Sequence, residues 1–121
     1  MLIGIAVVLV APPARADIRF YHLNEQGQQY RSEFVRNADK TGCHTFLKKR
    51  NVYRVAQVRF AYCEVYSERD CAEDSVLTAR WIGKRKKSED KKKPVTRLTP
   101  GAMWALADRA NVKVRSWRCE E

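Results

Sequence analysis

The sequence has few of the residues from which active sites and metal sites are built. Only two histidines occur, His22 and His44, and there is no Cys-x-x-Cys pair, no glycine-rich phosphate loop and no Gly-x-Ser-x-Gly motif. Those patterns are the ones that hold zinc, cradle phosphates and expose a serine nucleophile. We therefore predict no metal site, no cofactor and no catalytic residue.

Long apolar stretches are scarce as well. The most apolar one, residues 2–10, is too short to cross a bilayer, which takes about 20 apolar residues. Two prolines follow it, and then Ala14-Arg15-Ala16, the small-x-small pattern of a signal-peptidase site. We predict a signal peptide over residues 1–16, a single mature domain over residues 17–121 without a transmembrane segment, and a periplasmic or secreted location. The alternative is a buried N-terminal strand or helix.

Four cysteines remain in the predicted mature domain: Cys43, Cys63, Cys71 and Cys119. An even number in an exported chain predicts two disulfides, for which three pairings exist. We favour Cys63–Cys71 across a hairpin and Cys43–Cys119 between an early segment and the C-terminus.

Extended segments rich in aromatic and β-branched residues dominate the rest of the chain, so we predict a mostly β domain. The most strongly patterned segment, residues 59–66, predicts a central strand covered on both faces, followed by a turn at residues 67–70. Residues 43–50 suit either a helical turn or a surface connection. Further strands are predicted at residues 18–22, 28–35, 75–82, 95–98 and 111–119. Residues 51–66 are predicted to be extended throughout, so that residues 51–58, with a bulge near residues 56–57, lead directly into the central strand.

Residues 99–110 have two interpretations. Pro100-Gly101 suits the centre of a type II turn that leads into a strand at residues 103–106. Alternatively, Thr99 caps a helix that begins at Pro100 and runs to residue 110, which would make the fold α+β. We favour the hairpin, because a glycine weakens the first helical turn.

The chain is strongly basic, with a formal net charge of +10. An exported protein of this charge tends to bind an anionic polymer or an acidic protein surface. Residues 83–94 are predicted to be a solvated basic loop, since they lack apolar side chains that could be buried. The candidate polyanion-binding residues are Lys84, Arg85, Lys86, Lys87, Lys91, Lys92 and Lys93. A purely solubilising loop is the alternative, and the oligomeric state is left open.

Tryptophan in a small β domain can serve the core or a binding face. Trp81, Trp104 and Trp117 have arginines nearby, at positions 80, 115 and 118, and together they could stack glycans or single-stranded nucleic acid. We favour the core for all three. The last strand has Lys113, Arg115, Trp117 and Cys119 on one face. We expect this face to be exposed at Lys113 and buried at Cys119, because a disulfide-bonded cysteine should lie in the core.

The histidines also allow two interpretations. With Glu25, Glu33 or Glu64, one of them could form the acid–base pair of a small basic hydrolase such as a ribonuclease. We favour structural roles, with His22 on a strand face and His44 beside a disulfide.

The sequence contains a weak internal repeat. Residues 18–21 and 63–66 are both extended segments that end in an aromatic residue, and a valine-rich strand begins at both Asn51 and Asn111. A strand with the aromatic pair Phe20-Tyr21, a turn with Gly27, a return strand and a later valine-rich strand resembles the βγ-crystallin Greek-key motif, used twice. The resemblance implies a disulfide-stapled Greek-key sandwich of about seven or eight strands. The calcium signature of that family is absent. Some exported members of the fold resemble inhibitors or small toxins.

These observations predict an exported, non-catalytic binding module for an anionic envelope component or an acidic protein partner. A secreted inhibitor or effector-type interaction protein is an alternative, and it predicts a flat apolar patch with an exposed tryptophan. The small basic hydrolase is another, and it predicts a histidine in a cleft beside a carboxylate.

Overall fold

The computed structural model describes residues 4, 15–23, 29–33, 35–84, 93–106 and 113–121. In these residues the chain is mostly β, as predicted, and no helix there is long and apolar enough to cross a membrane. Most of the predicted signal peptide, residues 1–16, and most of the predicted basic loop, residues 83–94, lie outside the described residues.

The described strands are short, with one exception. They are β1 (Asp17–Leu23), β2 (Gln29–Glu33), β3 (Gly42–Val58), β4 (Tyr62–Tyr66), β5 (Ala79–Trp81), β6 (Gly101–Leu106) and β7 (Lys113–Glu120). Two 3-10 turns, Arg69–Cys71 and Glu73–Ser75, follow β4.

The long strand β3 takes part in two antiparallel sheets. Its C-terminal half pairs with β1 and β6, which gives the order β2-β1-β3-β6-β5. Its N-terminal half pairs with β7, and β7 pairs in turn with β4. β3 is therefore the strand on which both sheets are assembled.

The predicted strand at residues 59–66 is confirmed only for Tyr62–Tyr66, and the central strand of the fold is β3 instead. β4 begins only at Tyr62, because the chain reverses direction at Arg59, whose φ is 67°. β4 pairs with β7 on one edge, and its other edge meets the single bridges Cys63↔Leu98 and Tyr66↔Val76. The sequence did not reveal β3 as the central strand, because Lys48, Lys49 and Arg50 in its middle interrupt the apolar pattern.

Other predicted strands have mixed outcomes. The segment at 18–22 is confirmed as part of β1, and those at 28–35 and 111–119 are confirmed for residues 29–33 (β2) and 113–119 (β7). Residues 28, 34, 111 and 112 lie outside the described part, and Val35 is not in a strand. The register shift between Val55 and Gln57 confirms the bulge in β3. The segment at 75–82 is shorter than predicted, because only Ala79–Trp81 is a strand. At 95–98 the structure has two isolated bridges rather than a strand.

A buried glutamine closes the turn between β3 and β4. The Gln57 side chain donates to the carbonyl oxygens of Leu98 and Phe60 at 2.7 and 3.3 Å, and its oxygen accepts from the Phe60 amide at 3.2 Å. Gln57 is 1% exposed. Because its amide is fully bonded, this polar group is tolerated in the core.

The disulfides are Cys43–Cys71 and Cys63–Cys119, so the favoured pairing is wrong. Cys63 lies directly opposite Cys119 in the β4–β7 register, where cross-strand side chains meet. Cys71 lies in the first 3-10 turn, and its amide donates to Ser116 Oγ of β7 at 3.0 Å. This bond holds the turn against the second sheet, where Cys71 meets Cys43 of β3.

The predicted strand at residues 103–106 is confirmed within β6, which begins earlier, at Gly101, so Gly101 belongs to the strand and not to the centre of a turn. The helix is wrong for residues 101–106, and residues 107–110 lie outside the described part. β6 pairs with β3 and β5. A Cβ at Gly101 would overlap the Trp81 ring. Glycine is therefore needed for close packing against an aromatic ring.

One core serves both sheets. It includes Ile18, Phe20 and Val55 from the first sheet and Val65, Val114 and Trp117 from the second. Trp81, Trp104 and Trp117 are 9%, 4% and 2% exposed, which confirms their place in the core. β7 passes from exposed Lys113 to buried Trp117 and Cys119, as predicted.

Trypsin should separate all four cysteines, so the pairing can be mapped directly. Cleavage after lysine and arginine yields the peptides 41–48, 60–69, 70–80 and 119–121, each with one cysteine. We expect non-reducing mass spectrometry of the native protein to find 41–48 joined to 70–80 and 60–69 joined to 119–121. Digestion after reduction is the control, and a 60–69/70–80 adduct would contradict the fold.

Candidate functional site

β3 contains a large bulge where it pairs with β7. Thr45 pairs with Ser116 and Arg50 with Val114, so residues 46–49 face Arg115 alone. The Arg115 Nε–H donates to the carbonyl oxygen of Phe46 at 2.8 Å and ties the base of the bulge to β7. Extra residues in one strand re-aim side chains, and such bulges commonly lie next to functional sites.

The bulge sends its side chains in opposite directions. Phe46 points into the core, where its ring centroid is 4.7 Å from that of Trp117 and 5.1 Å from that of Phe20. Leu47 is 92% exposed, and Lys48 and Lys49 beside it are exposed as well. The buried phenylalanine therefore anchors a tip that presents a leucine between basic residues.

Cations surround this tip. We define the bulge face as Leu47 with Arg36, Lys48, Lys49, Arg50, Lys113 and Arg115. Among described residues, Glu68 forms an ion pair with Lys49 at 3.3 Å, and Asp70 bonds to Thr45 at the foot of the bulge. An exposed pair of this kind contributes little to stability. Six cations and two carboxylates leave the region positively charged.

A groove of about 480 Å³ lies beside the bulge. Its apolar lining includes Val35, Phe46, Leu47 and Trp117, and Arg36 and Arg50 contribute guanidinium groups. No carboxylate is found among the described residues that line it. The groove therefore combines apolar surface with positive charge.

His44 lines the same groove and has structural contacts. Its ring lies 5.3 Å from that of Trp117, and its Nε2 is 2.9 Å from the Thr41 carbonyl oxygen. Since a carbonyl only accepts, Nε2 must carry the proton of this bond. His44 lies beside the Cys43 disulfide, and His22 lies buried in β1, as predicted for both.

A second groove of about 520 Å³ has mixed charge. Its lining includes Glu64, Tyr66, Glu73, Arg97 and Arg118. Burial raises the pKa of Tyr66, and the nearby Glu64 carboxylate raises it further, while a hydrogen bond from Arg118 opposes both effects. Because two carboxylates and two guanidinium groups are among the lining residues, this groove has no excess charge of either sign.

The sequence-predicted site residues fall into two groups. Lys84 and Lys93 are exposed at the ends of the basic loop, whereas Arg85, Lys86, Lys87, Lys91 and Lys92 lie outside the described residues. The four cysteines all form disulfides. Within the described ranges, no three side chains of His, Cys, Asp or Glu come together as metal ligands would.

The aromatic and basic face proposed from the sequence is not formed. All three tryptophans are buried, so none offers a ring face for stacking. The exposed tryptophan expected of an inhibitor patch is missing for the same reason. Among described residues, the large exposed hydrophobic side chains are Leu47, Val58 and Ile82.

These features define a disulfide-bonded antiparallel β protein with a basic bulge. Comparison with protein-family models, with curated proteins and with solved structures gives no match for the chain.

The Tyr66 environment gives a pH-dependent prediction. We expect Glu64→Gln to lower the Tyr66 pKa, because it removes a negative charge that disfavours the phenolate. The measurement is a phenolate absorbance titration, taken as the difference between each protein and its Tyr66→Phe variant. Asp39→Asn, which removes an exposed carboxylate outside this groove, should leave the pKa unchanged.

The same shift has a defined sign for stability. A raised folded pKa means that the Tyr66 contribution is fully present below the unfolded tyrosine pKa of about 10 and is lost as pH rises through the folded value. An unchanged Tyr66 pKa in Glu64→Gln would contradict the assigned cause.

Proposed function

We propose that the protein is an exported binding module for an anionic component of the cell envelope and that it contacts this component through the bulge face. The observation that carries the proposal is Leu47, 92% exposed and flanked by Lys48 and Lys49 at the tip of the bulge. The two disulfides support export, because such bonds persist mainly in oxidising compartments.

Charge and apolar exposure favour a lipid surface within this class. A lysine or arginine near an anionic membrane contributes about 1 kcal/mol, and a leucine that leaves water contributes about 1.5–3 kcal/mol. Amphipathic helices that lie in a membrane interface combine both kinds of residue, with the apolar side chains at the acyl boundary and the cations at the headgroups. Leu47 and its basic neighbours have this composition.

The other interpretations stay predictions. An acidic protein partner would use the same cations, with Leu47 as its apolar anchor. A hydrolase needs an acid–base pair, and the groove that His44 lines has no carboxylate among its described residues. The resemblance to βγ-crystallin domains, with its Greek-key connectivity and inhibitor-like relatives, also stays a prediction.

Neutralising the tip should weaken binding to anionic vesicles. We expect Lys48→Gln/Lys49→Gln to lose about 2 kcal/mol, roughly 30-fold in the partition coefficient measured by vesicle sedimentation at fixed salt. Arg59→Gln/Arg80→Gln removes the same net charge from exposed positions outside the bulge face and should change partitioning less than about threefold.

A third variant separates the bulge from the basic loop. Lys84, Arg85, Lys86, Lys87, Lys91, Lys92 and Lys93 are replaced together by glutamine. Equal losses in the tip variant and the Arg59/Arg80 control would show that net charge alone governs binding. A loss confined to the loop variant would move the contact surface to residues 84–93.

Leu47 distinguishes a lipid surface from a soluble polyanion. Leu47→Ser should reduce partitioning into anionic vesicles roughly tenfold, because the apolar contact is lost while every charge remains. Elution from heparin should stay unchanged, since heparin offers no acyl layer. Val58→Ser is the matched control at another exposed apolar residue. Equal vesicle binding by Leu47→Ser and the native chain would argue against membrane contact.

A further inference from the structure

The groove beside the bulge has the size and lining of a site for one small ligand. Its volume of about 480 Å³ falls within the range of about 300–1,000 Å³ that is common for small-molecule sites. Leu47 contributes to its lining, and so do the buried side chains of Val35, Phe46 and Trp117. An apolar chain laid there would leave water on several sides at once.

The apolar floor of the groove is already assembled. Phe46 and Trp117 are in contact at 4.7 Å between ring centroids, and Phe20 supports both from the core at 5.1 and 5.3 Å. Side chains packed in this way do not have to be reordered when a ligand arrives, which lowers the cost of binding. The floor is therefore a preformed surface.

The charged part of the lining has one sign. Arg36 is exposed, and Arg50 is half-buried, with its guanidinium carbon 5.6 Å from the centroid of the Phe46 ring. Guanidinium groups bind carboxylate and phosphate oxygens through paired hydrogen bonds. Two such groups match a phosphate, with its charge of about −1.5 to −2, more closely than a carboxylate.

A purely polar anion or a purely apolar molecule would each use only half of this lining. We propose that the groove binds one anionic amphiphile with a phosphate head group at Arg36 and Arg50 and a single apolar chain along Phe46, Leu47 and Trp117. This inference rests on the proposed envelope-binding function and names the ligand class of the same face.

The test uses dodecyl phosphate as the probe, below its micelle-forming concentration, with the ¹⁵N-labelled full mature chain. We expect saturable one-to-one binding, with shifts concentrated at the Trp117 indole N–H and the backbone amides of residues 46 and 47. Arg36→Gln should raise the dissociation constant roughly tenfold, because it removes a charged hydrogen-bond donor from an exposed turn.

Two variants serve as matched controls. Arg80→Gln removes an exposed arginine from β5, outside the groove, and should change the dissociation constant less than about twofold. The same small change is expected for Arg59→Gln, because Arg59 is exposed and is not among the described groove residues. Equal weakening by Arg36→Gln and Arg80→Gln would overturn the site.

Two further ligands test whether both parts of the amphiphile are recognised. Dodecyl maltoside keeps the chain without the charge, and inorganic phosphate keeps the charge without the chain. We expect each to bind at least tenfold more weakly than dodecyl phosphate. Comparable binding by either one would overturn the inference, because half of the lining would then suffice.

The outcomes separate this inference from the proposed function. If anionic vesicles bind in a Lys48- and Lys49-dependent manner while dodecyl phosphate shows no saturable binding, the groove inference fails and the bulge face stands. The opposite outcome is that dodecyl phosphate binds in an Arg36-dependent manner while substitutions in the bulge face leave vesicle and heparin binding unchanged. The envelope-binding function then fails, and the groove stands as a small-molecule site.

Discussion

The hydrogen-bonding requirement of β3 is the constraint on which the rest of the structure depends. One continuous strand forms backbone hydrogen bonds with β1 and β6 along its C-terminal half and with β7 along its N-terminal half. Because buried backbone groups must all be paired, the strand cannot slip relative to one sheet without breaking its ladder in the other. Residues 46–49 of β3 lie opposite Arg115 alone in β7, so the extra residues form a bulge, and that bulge carries the basic tip.

A strained turn supports the foot of this bulge. Asp70 and Cys71 have positive φ values of 60° and 53°, which non-glycine residues rarely adopt. Thr45, the residue just before the bulge, accepts from the Asp70 amide at 3.1 Å, and the Cys43–Cys71 disulfide joins the turn to the same part of β3. The covalent bond and the hydrogen bond hold the turn in this conformation, so they also fix where the bulge emerges from the sheet.

The chemistry of the bulge follows from its geometry. In a regular strand, neighbouring side chains alternate between the two faces, so Phe46 inside and Leu47 outside would be followed by one inward lysine. The bulge releases Lys48 and Lys49 together to solvent, while Phe46 remains in the aromatic cluster with Trp117. The result is a packed apolar floor next to exposed cations on long apolar stems.

By itself the sequence determined that the fold is mostly β and where β1, β2 and β7 lie. It also determined the bulge near residue 56 and the burial of the tryptophans. All of these features depend on local patterns of apolar and turn-forming residues. Only the tertiary structure decided the disulfide partners and the central strand. Cys63 meets Cys119 because β4 lies beside β7, and this neighbour relation joins residues 56 positions apart. The basic residues in the middle of β3 interrupt the apolar alternation by which a strand is recognised in a sequence. They are tolerated there because four residues of β3 lie opposite a single residue of β7 and bulge out of the sheet. Long-range strand pairing is set by the whole core, and no local stretch encodes it.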